Sequence, residues 1–411
     1  MFPSEEHPSV NFIQERRYDI DWLRILAMLL VFLFHCARFF GGGGWHLKNP
    51  GGDSLVATLF IGLLDLWLMP LFFLLSGVGS WYALESRTGK QYLMNRVKRI
   101  LLPLYGVGAC IILLPQAYFE AITNGGFTGT FREGLPLYIA AAFTTPPSLE
   151  DPFFFSIFYG HLWFLQFLFL ISLLVLPLLL FLKTDDGRRV IAGLAGCCGR
   201  WGGAFLFVVP LAFVRIALTH FFQGQEHSWA HFFYFTVFFV IGYILPADQR
   251  FTEGIKKVGW FCLVLGVVGT GAEGLFIFGL KYNYASLFRP GGEPFSLLYV
   301  LFNAIMSVAG WCWVAFVLSL GARHLNFTNK MRAYGNEAVL PFYILHQTVI
   351  LCVGWYVIRG EMGSLSKFVI IAATSFALIM LVYELLVQRF NLMRLLFGMA
   401  TKKTSAEKPR L

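Results

Sequence analysis

The chain has 411 residues, of which 57% are apolar, 18% aromatic and only 13% charged, against roughly 45–50% apolar and 25% charged for soluble domains. That is too little polar surface to wrap a water-soluble body of this length. Apolar stretches of about 18 or more residues recur, long enough to cross a hydrocarbon core about 30 Å thick, so composition excludes a soluble enzyme and points to a multi-pass membrane protein.

In chain order, the apolar runs predict spans near 22–40, 55–82, 100–119, 161–182, 203–222, 230–246, 258–280, 296–320, 339–358 and 367–388. The expected fold is an all-α polytopic bundle of about ten transmembrane helices. The first run follows acidic and basic residues and carries Arg24 and His35, which argues against a cleavable signal peptide. With the amino terminus in the cytoplasm, 23 of the 32 lysines and arginines fall on that side and seven on the other. This positive-inside bias places both termini in the cytoplasm. It also accounts for the net charge of +9 without a nucleic acid partner.

Two far-side segments are long enough to do chemistry. Residues 41–54 open with Gly41–Gly44 and then Trp45-His46, either a linker or a loop that lets a ligand approach the backbone. Residues 120–160 are rich in Phe, Gly and Pro, including Pro146-Pro147. The seven cysteines form no CxxC and five sit in apolar runs, as small core residues do. No metal site is expected.

An ionisable group at membrane depth is costly and therefore informative. Arg24 and His35 are eleven residues apart, within about 20° of three full turns, so both project from one helix face about 16 Å apart along the axis. Arg24 is expected at the cytoplasmic end and His35 beyond the midplane, which reads as a cation and a titratable base along one ligand track. The plainer alternative has Arg24 reaching lipid phosphates and His35 packing by a hydrogen bond. Arg96 and Arg99 are neighbours on a helix surface, and planar guanidinium groups suit phosphate oxygens, although they also serve as ordinary topology charge. His161-Leu162-Trp163 opens the fourth span at its outer end, and His346 is expected near mid-membrane in the ninth, ten residues after Asn336. Asp65, Arg215 and Tyr383-Glu384 add further polar groups inside the second, fifth and tenth spans.

Taken together these residues resemble the acyltransferase-3 family of integral membrane acyltransferases. Arg24 and His35 within "DIDWLRILAMLLVFLFH", then "PLFFLLSG", Arg96-x-x-Arg99, "HLWFL" at 161–165 and "FYILHQTVI" at 342–350 follow the family's order over roughly 16–398. Trp45-His46, Arg215, Asn336, Tyr383-Glu384 and Leu396-Phe397-Gly398 resemble a branch that modifies periplasmic glucans. Trp163 is followed by Phe-Leu-Gln-Phe instead of the glutamate-bearing continuation of many O-antigen acetylases, which argues against that acceptor.

The resemblance implies an acyltransferase-3-like transmembrane domain over 1–398 and a basic cytoplasmic tail over 399–411. It implies a bacterial inner-membrane enzyme that moves an acetyl or succinyl group from cytoplasmic acyl-CoA to a hydroxyl of an extracytoplasmic glycan. His35 would then be the general base or a transient acyl carrier. Arg96 and Arg99 would hold the CoA phosphates, with Arg24 lining the entry. Arg24, Asn336 and His346 are candidates for stabilising the oxyanion, and Trp45, His46, His161 and Trp163 would face the acceptor. A secondary transporter or exporter of a glycan or small metabolite, working without covalent chemistry, is the rival reading.

Overall fold

The computed structural model describes residues 17–144, 160–222, 227–276 and 295–402. Pro146-Pro147 and residues 403–411 of the predicted tail lie outside the described residues. The described chain is helices and their connections, with no strand among the described residues. In order these are α1 (Tyr18–Ala37), α2 (Leu55–Asp65), α3 (Leu68–Glu85), α4 (Gly89–Thr123), α5 (Phe131–Thr144), α6 (Trp163–Leu174) and α7 (Leu176–Leu182). They continue with α8 (Asp185–Cys198), α9 (Val208–Leu218), α10 (Trp229–Ile244), α11 (Gln249–Gly274), α12 (Leu297–His324), α13 (Lys330–Val357), α14 (Ser364–Val387) and α15 (Asn391–Leu396).

Eight of the described helical stretches are long and apolar enough to cross a membrane: α1, α2 with α3, α4, and α10 to α14. A ninth is the pair Gly160–Leu174 and Leu176–Leu182, bent by 54°. The bend sits at Pro177, at the start of α7, where the missing N–H breaks the helical ladder. Gly203–Leu218, expected as a full span, is a shorter apolar helix, about 24 Å long at 1.5 Å per residue.

Contacts between distant segments show that Gly203–Leu218 also runs from end to end and that the bent pair finishes among the basic loops. At one end Arg17 bonds Thr252 (3.0 Å), Arg323 the Lys256 carbonyl (2.6 Å), Lys257 the Gly199 carbonyl (2.8 Å) and Lys183 the Leu84 carbonyl (2.6 Å). At the other end Lys367 bonds Asn49 (2.9 Å), and the Tyr299 hydroxyl, at the start of α12, bonds the Ile216 carbonyl in α9 (2.8 Å). Among the described residues the helices thus run between two ends, and the basic loops gather at one of them, as the charge pattern predicts.

The bundle closes tightly where side chains are smallest. A β-carbon on Gly77 of α3 would collide with the Phe239 carbonyl of α10, and one on Gly242 of α10 with the Leu74 carbonyl of α3. These reciprocal glycines let two backbones touch, as small residues do between membrane helices. In α4 the stretch Val97–Ile112 winds as a π-helix around Pro103, which cannot supply an i→i−4 bond. Local π-winding of this kind recurs at functional sites.

Candidate active site

The site is built on α1 and α13. Asp21 meets Arg332, Arg24 Nη1 donates to Asn336 Oδ1 at 3.2 Å, and His35 Nδ1 lies 3.2 Å from His346 Nε2. Phe32 and Phe342 add an edge contact at 5.5 Å. Both partners rise together along the chain, so α1 and α13 run parallel and form a ladder with a constant step. The helical period that put Arg24 and His35 on one face is the reason both reach α13.

The ladder's rungs differ in depth. Asn336 and His346 are ten residues apart on α13, about 15 Å along the axis. Arg24 and Asn336 therefore stand at the basic end, and of the three oxyanion candidates only His346 is beside His35. At that basic end Arg24 also lies 3.7 Å from Asp21 and reaches towards Gly79 of α3. One residue further along α3, Ser80 Oγ accepts from Arg96 Nη2 at 2.5 Å and from the Tyr92 hydroxyl at 3.1 Å. Arg96 and Arg24 thus converge on Gly79-Ser80. Arg96 also lies 4.9 Å over the Tyr92 ring, while Arg99 is exposed and makes no hydrogen bond or ion pair among the described residues.

Backbone carbonyls fix the histidine tautomers, because a carbonyl oxygen only accepts. His35 Nδ1 is 2.9 Å from the Val31 carbonyl, so it carries the proton, which it shares with His346 Nε2. His346 Nδ1 is 2.5 Å from the Tyr343 carbonyl, so its proton is there and its Nε2 is the acceptor. It follows that His35 Nε2 holds a lone pair and is free to act as a base. His161 Nε2 donates to the Tyr343 and Ile344 carbonyls (3.2 and 3.1 Å), leaving Nδ1 to accept from Gln116 Nε2 at 2.9 Å. Its ring stands edge-on to His346, 5.0 Å between centroids.

From His161 the polar chain continues to the end opposite the basic loops. Gln116 also donates to Thr348 (2.7 Å) and accepts from Gln347 (3.2 Å); Gln347 donates to His46 Nε2 (3.1 Å); His46 Nδ1 stands 2.6 Å from Glu120 Oε2. Trp45 lies 5.5 Å from the His35 ring with the Arg38 guanidinium 5.1 Å over its own. Trp163 faces away from this group, against His227 (4.3 Å) and Phe235 (5.9 Å). The structure thus brings His35, His346, His161, Trp45 and His46 into one cluster, sets Arg24, Asn336 and Arg96 together at the basic end, and leaves Trp163 one layer out. Gln116, Gln347 and Thr348 had not been picked out; a buried amide in an apolar run was the available signal. Among the described residues no group of three or more His, Cys, Asp or Glu could hold a metal ion.

A family model described as an acyltransferase domain matches residues 17–384, from the foot of α1 into α14. The chain belongs to the acyltransferase-3 family. Proteins named glucans biosynthesis protein C are similar along its length. Those of Salmonella schwarzengrund and Salmonella typhi are each 24% identical over 391 residues, covering 93% of this chain and 94% of the relative. That of Salmonella paratyphi B is 23% identical over 400 residues, with the same coverage. No solved structure matches. The protein is a multi-pass membrane acyltransferase, and the His35–His346 pair lies inside the matched family region.

Proposed function

We propose that this acyltransferase takes an acyl group, acetyl or succinyl, from acyl-CoA on the cytoplasmic side and passes it to a hydroxyl of a glycan on the outer side of a bacterial inner membrane. The observation that carries the reading is the placement of the His35–His346 pair between the arginines of the basic end and the outward polar chain to His46 and Glu120. The positive-inside rule makes the basic end cytoplasmic. The name of the similar Salmonella proteins supports a glucan as the acceptor.

In this mechanism Arg96 and Arg99 hold the phosphates of the CoA at the cytoplasmic mouth, where bidentate charge-assisted bonds suit them. Arg24 and Asn336 line the entry of the acyl-bearing arm. The acceptor hydroxyl comes from the outer side, past Trp45 and His46. His35 Nε2 takes its proton as the oxygen attacks the thioester carbonyl. When the tetrahedral intermediate collapses, the C–S bond breaks and the thiolate recovers that proton, so an ester and free thiol leave with no net change at the histidine. His346 Nε2, accepting from His35 Nδ1–H, holds the imidazole in this tautomer and shares the positive charge while it lasts.

The test is direct. Purified wild-type protein, given labelled acyl-CoA and glucan, should form an alkali-labile labelled ester, and the His35→Ala variant should fail to while it inserts and extracts normally. Wild-type levels of ester from that variant would remove His35 from the mechanism. Movement of glucan across sealed vesicles without ester formation would instead identify a transporter.

A further inference from the structure

The oxyanion formed on attack needs a hydrogen-bond donor close to His35, and among the imidazole and indole N–H groups described around it one buried donor has no partner. His346 spends Nδ1–H on the Tyr343 carbonyl, and its Nε2 is an acceptor. His35 spends Nδ1–H on the Val31 carbonyl. His161 spends Nε2–H on two carbonyls. Arg24 and Asn336 are a helix segment of about 15 Å away. The indole of Trp45 remains, 5.5 Å from the His35 ring. Its Nε1 is buried and has no hydrogen-bond partner among the described residues. Buried donors are nearly always paired, so an unpaired one beside a reactive base calls for an explanation.

We infer that Trp45 is a catalytic residue whose indole N–H donates to the thioester oxygen as it becomes an oxyanion; this rests on the acyl-transfer reading above. A hydroxyl hydrogen-bonded to His35 Nε2 lies about 3 Å from it. The guanidinium of Arg38, 5.1 Å over the indole and anchored by Nη2 to the Gly44 carbonyl at 2.7 Å, adds a second reason. A cation on the π face draws electron density from the ring, which makes the N–H a stronger donor and adds positive potential where negative charge develops. The same contact holds the 41–45 turn against α1. Gly41–Gly44 is thus part of a structured approach to the site.

No bond to Trp45 is made or broken. As the carbonyl C=O becomes C–O⁻ its hydrogen bond to Nε1–H strengthens, and as C–S cleaves the bond relaxes. A donor of this kind is worth about 10²–10³-fold in kcat.

Trp45→Phe tests the idea because it keeps an aromatic ring and removes the donor, together with the five-membered ring that carries it. The reconstituted full-length variant, assayed with acyl-CoA and glucan, should lose about 10²-fold in kcat while KM for each substrate stays within a few-fold. Unchanged thermal unfolding would accompany that loss. A wild-type kcat in Trp45→Phe would overturn the inference and leave the acyl-transfer reading intact. So would a raised glucan KM with unchanged kcat, which would make the ring a sugar platform. Failure of the wild-type protein to form any ester would overturn both. Should the variant unfold, Arg38→Gln gives the second measurement: a fall in kcat smaller than that of His35→Ala supports the polarised donor, and no fall counts against it.

Discussion

The two ends of the α1–α13 ladder use opposite chemistry. At the basic end the rungs are charged: Asp21 with Arg332, then Arg24 with Asn336 and, at 3.7 Å, Asp21. Eleven residues deeper the rung is a pair of imidazoles whose other hydrogen-bond partners among the described residues are backbone carbonyls. Charge is affordable where cytoplasmic water and lipid phosphates are near, whereas at depth an uncompensated ion costs several kcal/mol. Neutral imidazole is the strong base that can be stored there. The comparison separates what holds the ladder together from what reacts on it, and substitutions at the two rungs should fail differently.

The largest effect is expected at the deep rung. His35→Ala should lower kcat by about 10²–10⁴-fold, with the unfolding temperature nearly unchanged, because among the described residues the deleted ring hydrogen-bonds only Val31 and His346. Asp21→Asn should do the reverse. Arg332 is 9% exposed in its side chain and also bonded to Thr328 at 3.1 Å. Removing its carboxylate leaves a buried cation short of its counter-charge, a loss of about 3–5 kcal/mol. Thermal unfolding in detergent should show the loss, and at temperatures where the variant is folded its kcat should be close to wild type. Equal damage to activity and stability in both variants would dissolve the distinction between the rungs.

A finer cut concerns His346. If it acts by accepting from His35 Nδ1–H, then His346→Gln, which can present an oxygen in place of Nε2, should cost about ten-fold in kcat. His346→Leu, which leaves the Nδ1–H only the Val31 carbonyl and removes the acceptor that shares the charge of the imidazolium, should cost about 100-fold, in the range of a hydrogen bond to a charged group of about 1.5–3 kcal/mol. Equal losses would mean that the imidazole itself moves a proton.

How much of this was legible in the sequence follows from which forces are local. Helical period alone placed Arg24 and His35 on one face, because the period is a property of the backbone and needs no partner. Loop charge gave the sidedness of the loops, since lysine and arginine placement is set by the membrane and not by packing. The partners were not legible: nothing near Arg24 names Asn336, 312 residues away, and nothing near Asp21 names Arg332. The motif around His346 pointed to the residue, but its depth relative to Arg24 emerged only when α13 was seen to run parallel to α1. That depth sets Arg24 and Asn336 about 15 Å along the helix from the His35–His346 pair. Gln116 and Gln347 are amides in apolar runs whose partners, His161 and His46, lie 45 and 301 residues away along the chain. The predicted fifth span came out as the short α9, because apolar composition marks a crossing more faithfully than it marks helix length.

The smallest expected effects are at the mouth, where Arg96 and Arg99 give a comparison within a comparison. Arg96 is already committed, bonded to a Ser80 hydroxyl that is itself fully buried and donates to the Ser76 carbonyl at 2.8 Å, and lying over Tyr92. A guanidinium held this way has lost its side-chain freedom before any phosphate arrives, so binding costs it little more. Arg99 is exposed and must be immobilised on contact, and its charge is screened by salt. Arg96→Ala should therefore raise KM for acyl-CoA by about ten-fold, roughly one charged hydrogen bond, and the loss should persist at high salt. Arg99→Ala should raise it by about two- to three-fold in dilute buffer, within the range of an exposed ion pair, and the difference from wild type should vanish near 0.5 M salt, where the screening length is only about 4 Å. Titrating acyl-CoA at two ionic strengths separates the two arginines. An identical salt response would mean that Ser80 and Tyr92 do not preorganise Arg96 for phosphate.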